Sequence, residues 1–488
     1  MPNAPLMLGV SGLRGIVGAS LTAELAVRYA AAVGAWLMER AGSPAPRWDA
    51  RAHAGTFGPG RVRVVLGFDG RIGGDMLFDA ASAGLKSAGC DVLPAHVAMT
   101  PTLGVLVDAE GADAGLQITA SHNPQEWNGL KVLLRRRGLK PGRVDACAPP
   151  KTLAEEIVAR FHDGAVGARP WSGVGFEGPM QTTDAHARGV RDAMDELGVL
   201  RLIRGRRMPV LVDCVNGAGG PVAPDFLAET LGCRVTAVGE RAGEPFWHAP
   251  EPTAENLRPV GARVRRARAA VGFCQDPDAD RLALVDEKGR YVGEEYTLVL
   301  AAMALADLGV VRKGSVLAVN LSTSRMIEDV AARVGARVVR TAVGEANVVE
   351  AMKREKSVLG GEGNGGVIWP RITCVRDSLS GMALVLALMA RTRKPLSELV
   401  RSTPAYAIEK RKVGLARKED ALPALGRLKT AYRDRPLDLQ DGVRVGFERA
   451  WLHVRASNTE PIMRLIAEAP TADRARSILG DAARAIGP

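Results

Sequence analysis

The sequence predicts an α/β protein with three similar doubly wound α/β domains and a smaller C-terminal α+β domain. One pattern occurs three times, from about residues 62, 208 and 314: an apolar run, a polar or glycine-rich loop, an amphipathic helical stretch, then Gly-x-x-Val opening a second apolar run. Apolar strands that alternate with helices are typical of parallel sheets covered on both faces. The chain after about residue 405 departs from this pattern, with two short strands flanking a loop and then a helix.

The length of 488 residues is sufficient for several complete cores. We place the domains at residues 1–170, 171–290, 291–404 and 405–488. The apolar runs at 298–306 and 382–389 are shorter than the roughly 18 residues of a membrane span, so we predict buried helices and no membrane partner.

The cysteines and the N-terminus predict a cytoplasmic protein. No basic segment followed by an apolar core opens the chain, so no secretion signal is visible. The six cysteines are scattered without a C-x-x-C spacing. Scattered cysteines without this motif favour reduced thiols over a disulfide framework or a zinc site.

The formal net charge of +11 is compatible with either nucleic acid or an acidic small substrate. Arginine-rich runs lie at 135–137, 204–207 and 262–270. Aromatic residues make up 4% of the chain and do not interleave with these runs, so no stacking platform for bases is visible. We therefore predict no nucleic-acid partner, and a charge-driven nucleic-acid binder stays as an alternative.

The first polar loop, TASHNPQEWNGLK (119–131), follows an apolar run that ends at Ile118. Ser121 lacks the glycine neighbours of a hydrolase nucleophile elbow, and the side chain of the adjacent His122 would usually diverge from it. At this point a serine hydrolase and a plain turn serine both stay open.

The second loop, QDPDADR (275–281), places Asp276, Asp278 and Asp280 at alternate positions after an apolar run. Three carboxylates this close repel one another unless a cation lies among them. The spacing therefore predicts a hard divalent metal, with Mg²⁺ and a phosphate substrate as the usual partnership. A calcium loop of the EF-hand type is disfavoured because Arg281 stands where that loop requires glycine.

Two further loops carry candidate binding groups. In LGGEGNGGVIWP (359–370), five glycines surround Glu362 and Asn364, an acid and an amide suited to vicinal hydroxyls. In VRASNTEPIMR (454–464), a guanidinium, two hydroxyls and an amide suit a phosphate dianion. Taken alone, each loop is equally compatible with a structural turn.

The order and content of the four loops resemble the α-D-phosphohexomutase family over nearly the whole chain. The shared motifs are VSGLRG (10–15), GFDGR (67–71), TASHNP with NGLK, DPDADR, the Gly-Glu loop and RASNTEP. The resemblance implies a heart-shaped arrangement around a central cleft, with a phosphate-binding fourth domain. It also implies an isomerase that interconverts hexose 6-phosphate and hexose 1-phosphate, uses Mg²⁺ and is activated by hexose 1,6-bisphosphate.

The resemblance also implies roles for single residues. Ser121 is expected to be the phosphoserine, and the expected ligands of Mg²⁺ are Ser121, Asp276, Asp278 and Asp280. His122 and Arg281 are expected to stabilise the transferring group, and Arg14 to face the phosphoserine loop. Lys131 is the candidate for activating the attacking hydroxyl, provided that nearby cations lower its pKa. The expected substrate-binding residues are Glu362, Asn364, Gly344, Arg455, Ser457, Asn458 and Thr459.

The chain departs from the family pattern at residues 364–366, where Asn-Gly-Gly replaces the Ser-Gly-His of many relatives. Position 366 is glycine where those relatives have histidine. The absence of that histidine favours Lys131 as an acid/base residue but leaves the acid/base pair open. The stretches TAVGEANV (341–348) and GEGNGG (361–366) resemble the phosphoglucosamine-mutase branch, so we predict glucosamine phosphate as substrate. For the substrate, mannose or glucose phosphate stays as an alternative. For the reaction, the alternative is that of a metal-dependent phosphatase. The protein is expected to be either a monomer or a homodimer.

Overall fold

The computed structural model describes residues 4–42, 60–164, 167–180, 183–457 and 461–487. These residues form sheets of six, four, four and five strands, in chain order. The predicted organisation of three α/β domains followed by a smaller C-terminal domain is confirmed. The boundaries at 170, 290 and 405 stay a prediction.

The strands are β1 (Leu6–Gly9), β2 (Gly12–Ile16), β3 (Arg63–Phe68), β4 (Asp91–Val97), β5 (Ala114–Ile118), β6 (Trp127–Leu134), β7 (Pro209–Asp213), β8 (Arg234–Val238), β9 (Val271–Gln275), β10 (Leu282–Asp286), β11 (Val316–Asn320), β12 (Arg337–Thr341), β13 (Leu359–Glu362), β14 (Gly366–Ile368), β15 (Ala407–Gly414), β16 (Leu437–Asp438), β17 (Val443–Phe447), β18 (Ala450–Ala456) and β19 (Ile462–Ala469). The α-helices are Ala23–Arg40, Gly74–Ser87, Thr100–Glu110, Lys151–Asp163, Ala185–Glu196, Leu200–Arg206, Ala223–Asp225, Arg258–Ala267, Glu295–Asp307, Met326–Val334, Glu345–Glu355, Ser378–Thr392, Leu396–Arg401, Ala421–Ala431 and Ala472–Ile486.

The threefold sequence pattern forms three strand–helix–strand units. Strands β3 and β4, β7 and β8, and β11 and β12 pair in parallel across their connecting helices. The middle unit is irregular, since Ala223–Asp225 continues as a π-helical turn, Phe226–Thr230.

The sheets are mixed: the expected parallel pairs lie within each unit, and antiparallel strands are added beside them. In each of the first three domains the third strand of the unit turns back into an antiparallel neighbour: β5 into β6, β9 into β10, and β13 into β14. A short turn permits antiparallel pairing, whereas a parallel pairing needs a crossover of a dozen or more residues. The serine, aspartate and Gly-Glu loops are these three turns, at the carboxyl ends of strands that run parallel to the first strand of each unit.

Two long apolar helices lie in the core where the sequence predicts buried helices. Helix Ser378–Thr392 is buried from Ser378 to Ala390, and helix Glu295–Asp307 packs in the same apolar core, which spans the second and third domains. The Asp377 side chain caps the first of them by accepting from the backbone N–H groups of residues 379 and 380. Among the described residues, no helix is both long and apolar enough to cross a membrane.

The C-terminal domain is an antiparallel sheet in the order β15-β19-β18-β17-β16, covered by the helix Ala472–Ile486. It contacts the loop after β11: His453 Nδ1 lies 2.8 Å from Ser322 Oγ, and Arg444 Nε donates to the Leu321 carbonyl at 3.0 Å. The RASNTEP loop connects β18 to β19. The domain contact therefore brings Arg455, near the end of β18, within electrostatic reach of Glu362 in the Gly-Glu loop.

Candidate active site

Ser121 lies directly after β5 in a backbone conformation that L-residues rarely adopt. Its φ is 51°, its side chain is buried, and its Oγ donates to Asp276 Oδ2 at 3.1 Å. A left-handed conformation at a non-glycine residue raises the free energy of the native chain by about 1–2 kcal/mol. The surrounding contacts must therefore hold the serine in place, which is typical of a functional position.

Arg71 and Asp69, from the GFDGR motif, supply those contacts. The Arg71 guanidinium donates to the carbonyls of Ser121 at 2.6 Å and Trp127 at 2.5 Å, and it pairs with Asp69 at 3.0 Å. Asp69 also accepts from the Thr119 hydroxyl, which accepts from the Ser121 backbone N–H. The sequence alone predicted no role for these two residues.

Asp276, Asp278 and Asp280 are buried at the turn between β9 and β10, and an oxygen of each lies within 4.8 Å of the others. Asp278 Oδ2 accepts from Thr100 Oγ1 at 2.7 Å, but Asp278 Oδ1 and Asp280 Oδ1 accept no hydrogen bond from any described residue. Leaving carboxylate oxygens buried without a donor is unfavourable. The free oxygens and the hard donor set fit a divalent metal.

The electrostatics of this trio match the predicted repulsion. Burial, followed by the charges of the two neighbouring aspartates, raises the pKa of Asp276 well above its usual value. Burial and the Asp280 charge likewise raise the pKa of Asp278. Burial acts against the charged form of Asp280 too, but Arg376 and Lys131 beside it bring its pKa below the usual range.

Glu287, which would be the last ligand of a calcium loop, lies outside this cluster. Its carboxylate accepts from the backbone N–H and the hydroxyl of Ser397. The residues after Arg281 form β10. The structure therefore agrees with the rejection of a calcium loop.

Lys131, on β6, points at the aspartate trio. Its Nζ lies 3.4 Å from Asp280 Oδ2 and 3.6 Å from Glu345 Oε2. Burial alone would lower the pKa of Lys131, but the charges of Glu345 and Asp280 raise it above its usual value. The expectation that cations lower this pKa is wrong for the chain by itself, because carboxylates are its ion-pair partners.

His122 contacts the serine, contrary to the expected divergence of the two side chains. Its Nδ1 lies 3.3 Å from Ser121 Oγ. Burial, followed by the charges of Arg281 and Arg14, lowers the pKa of His122 to about 3. A neutral imidazole with this pKa is a poor general base at neutral pH, which disfavours the serine hydrolase alternative.

Arg14 and Arg281 approach the same site from two domains. Arg14 stands on β2 opposite Gly129 of β6, within electrostatic reach of Asp278. The Arg281 backbone N–H donates to Asp276 Oδ1 at 3.0 Å, whereas its buried Nε donates to no described residue. The unpaired Nε suits an incoming anion.

Glu362 is fixed by donors on both of its oxygens at the end of β13. Its Oε1 accepts from Asn320 Nδ2 at 2.8 Å and from the Gly344 N–H at 3.2 Å. Gly344 has a φ of 123°, which favours glycine. Asn364 Oδ1, on the following turn, is buried without a partner among the described residues. The loop thus holds one oriented carboxylate and one open acceptor.

The fourth loop begins with Arg455 and Ser457 at the end of β18, whereas Asn458 and Thr459 lie outside the described residues. Arg455 stands opposite Arg464 in the β18–β19 ladder. The Nε atoms of both are out of solvent and donate to nothing in the part of the chain that the structure describes. Adjacent guanidinium groups with unused donors suit a dianion. Sequence reasoning missed Arg464, although it lies in the quoted loop.

Arg376 is a site residue that sequence reasoning missed altogether. It is buried among three carboxylates and donates to Asp280, Glu345 and Glu362 at distances of 2.5, 3.1 and 3.0 Å. Its chain passes over Gly366, where an added Cβ would lie 2.3 Å from Arg376 Cδ. A side chain at position 366 would therefore collide with Arg376. The surrounding sequence, CVRDSLSG (374–381), gave no pattern that singles it out.

Family models match the chain in four consecutive segments. They describe phosphoglucomutase/phosphomannomutase α/β/α domain I at residues 49–144, domain II at 191–289, domain III at 293–406 and the C-terminal domain at 410–485.

Whole-chain comparisons agree with the domain matches. A "Phosphoglucomutase/phosphomannomutase" of Thermococcus kodakarensis is 34% identical over 97% of this chain and 96% of its own. A "Probable phosphoglucosamine mutase" of Methanopyrus kandleri is 35% identical over 96% of this chain and 95% of its own. The crystal structure of a phosphoglucomutase/phosphomannomutase family protein from Burkholderia thailandensis has a TM-score of 0.77 at 25% identity, covering 98% of both chains. The chain therefore belongs to the phosphoglucomutase/phosphomannomutase family of phosphohexomutases.

Proposed function

We propose that this protein interconverts hexose 6-phosphate and hexose 1-phosphate through a phosphoserine at residue 121. The observation that carries the proposal is the Ser121 hydroxyl held 3.1 Å from Asp276, within a buried carboxylate trio that has unused oxygens. The candidate carrier hydroxyl therefore lies beside carboxylates that could hold a metal ion, an arrangement that supports phosphoryl transfer.

The carrier solves a problem of distance, since O1 and O6 of a hexose are too far apart for direct internal transfer. The bond between phosphorus and Ser121 Oγ breaks, and a bond forms between phosphorus and the free sugar hydroxyl. The resulting hexose 1,6-bisphosphate turns end for end, and its other phosphoryl group returns to Ser121. Added hexose 1,6-bisphosphate would act as activator by loading the serine.

The residues around Ser121 would position and neutralise the transferring group. Asp276, Asp278 and Asp280 would hold Mg²⁺ together with the Ser121 phosphate, and when bound the ion would offset charge on the departing serine oxygen. His122 would donate a hydrogen bond, and Arg281 and Arg14 would supply positive charge. Lys131 would take the proton of the attacking hydroxyl once its pKa falls, which requires that a cation offset the Asp280 charge.

The remaining loops would bind the rest of the substrate. Arg455, with Arg464 beside it, would hold the phosphate that is not reacting, joined by Ser457, Asn458 and Thr459. Glu362, Asn364 and the Gly344 turn would bind sugar hydroxyls in both orientations. Binding of the remote phosphate would hold the reacting hydroxyl in the correct position over Ser121.

We propose glucosamine phosphate as the preferred substrate. Several relatives carry the name phosphoglucosamine mutase, although another is named phosphoglucomutase/phosphomannomutase. Two buried acceptor oxygens near the sugar loop, Asn364 Oδ1 and Glu345 Oε1, have no partner among the described residues. A 2-ammonium group is a better donor to such acceptors than a hydroxyl.

Steady-state rates on three substrates test this choice. With the 1-phosphates of glucosamine, glucose and mannose, and hexose 1,6-bisphosphate present, we expect kcat/KM for glucosamine 1-phosphate to exceed the others by at least tenfold. If mannose or glucose phosphate turns over faster, the substrate assignment is wrong, and the mutase proposal still stands.

The same assay separates a mutase from a metal-dependent phosphatase. A mutase releases little inorganic phosphate and responds to bisphosphate, whereas a phosphatase releases phosphate at the turnover rate.

We also propose a cytoplasmic location, because all six cysteines are buried and free, as in a reducing compartment.

A further inference from the structure

We propose that Arg376 is a positioning residue that locks the metal loop of the second domain to the sugar loop of the third domain. The inference rests on the proposed function and goes beyond it, because neither the carrier nor the metal site requires this arginine. Its guanidinium uses a different nitrogen for each carboxylate: Nη2 for Asp280, Nε for Glu345 and Nη1 for Glu362.

Each partner belongs to a different part of the site. Asp280 is one of the metal-trio carboxylates, Glu362 is the oriented acid of the sugar loop, and Glu345 opens the helix that follows the Gly344 turn and also faces Lys131. One rigid, planar cation therefore sets the relative orientation of the metal trio, the sugar acid and the candidate proton acceptor.

The backbone on the C-terminal side of Arg376 is anchored to the same metal loop. The Ser378 hydroxyl donates to the Ala279 carbonyl at 2.7 Å and accepts from Gln275 Nε2 at 2.8 Å. Asp377 caps the buried helix Ser378–Thr392. Arg376 is thus held at its base by a helix inside the shared core, and this rigidity lets it fix the carboxylates rather than follow them.

Gly366 leaves the path that the Arg376 chain needs. An added Cβ at this glycine would lie 2.3 Å from Arg376 Cδ and 2.9 Å from its Cγ. Gly366→Ala should therefore displace the guanidinium without removing its charge. This variant is an independent way to disturb the contacts of Arg376 with the three carboxylates.

Arg376→Met tests the proposal through metal binding and kinetics together. Removing a cation 2.5 Å from Asp280 leaves the trio more negative, so Mn²⁺, measured by electron paramagnetic resonance without substrate, should bind at least threefold more tightly. Loss of the Glu362 contact should raise KM for the hexose phosphate at least fivefold and lower kcat/KM by about a hundredfold. Mn²⁺ affinity and KM that both match the wild type would overturn the proposal, even if the variant melts at a lower temperature.

Three further variants separate the role of Arg376 from a failure to fold. Arg376→Lys keeps one charge but can reach fewer carboxylates, so it should restore wild-type Mn²⁺ affinity while KM stays raised. If Arg376→Met does not fold, an unchanged KM in both Arg376→Lys and Gly366→Ala would overturn the proposal. Arg391→Met removes an exposed arginine at the far end of the helix Ser378–Thr392, where it pairs with Asp307 of the neighbouring helix Glu295–Asp307, and should leave both quantities at their wild-type values.

The two proposals fail in different ways. If wild-type protein turns over no hexose phosphate, the proposed function is wrong. The Mn²⁺ measurement still tests whether Arg376 controls the metal loop, since it needs no substrate.

Discussion

Replacing Ser121 with alanine is expected to lower mutase activity by several orders of magnitude while the protein stays folded. The carrier oxygen is the atom that holds the phosphoryl group between the two transfers. The nearby Thr119 hydroxyl is not free to replace it, because it donates to Asp69 and accepts from the Ser121 N–H. Steady-state rates with bisphosphate present measure the effect.

The fold should tolerate this change because the backbone contacts of the serine loop survive it. The Arg71 guanidinium binds the carbonyl of residue 121 and the Thr119 hydroxyl accepts its N–H, and neither contact needs the serine side chain. Ser87→Ala, which removes a hydroxyl bonded to the Gly84 carbonyl at a helix end, is the matched control. Activity of Ser121→Ala close to that of Ser87→Ala would remove the carrier from the mechanism.

Asp278→Asn is expected to separate metal binding from folding. The amide can still accept from Thr100, but it no longer offers an anionic oxygen to a cation. We expect kcat/KM to fall by about 10²–10³-fold, the range for loss of one preorganised electrostatic group. In metal-free buffer the variant should melt at a higher temperature than the wild type, because the repulsion within the trio is reduced.

Thermal melts with EDTA and with Mg²⁺ provide the measurement. A ligand at 100 times its Kd stabilises the native state by about 2.7 kcal/mol, so Mg²⁺ should raise the wild-type melting temperature and have little effect on Asp278→Asn. Asp192→Asn, at an exposed ion pair with Arg191, should behave as the wild type. An Asp278→Asn variant that keeps full activity and full stabilisation by Mg²⁺ would contradict the metal site.

The features that were readable from the sequence are local ones. The three strand–helix–strand units follow from apolar periodicity. The functional loops could be placed after strands because polar residues end the apolar runs there. The antiparallel return strands were not foreseen, because β6, β10 and β14 read as further apolar runs and periodicity does not give their direction.

The contacts that were not readable join residues far apart in the chain. Arg376 is 96 residues from Asp280, and Thr100 is 178 residues from Asp278. A single arginine in CVRDSLSG carries no local signal that it will enter a cluster of carboxylates. The same limit explains the pKa of Lys131, which depends on Glu345 of another domain rather than on its own motif.

Mapping phosphate on the freshly purified protein tests the central claim most directly. Intact-mass spectrometry should show a fraction of molecules with one added phosphate, and peptide mapping should assign it to Ser121. Incubation with hexose 1,6-bisphosphate should raise that fraction, and incubation with excess hexose 6-phosphate should lower it as the group passes to the sugar. A residue 121 that stays unmodified after treatment with bisphosphate and Mg²⁺, in protein that is turning over hexose phosphate, would contradict the account.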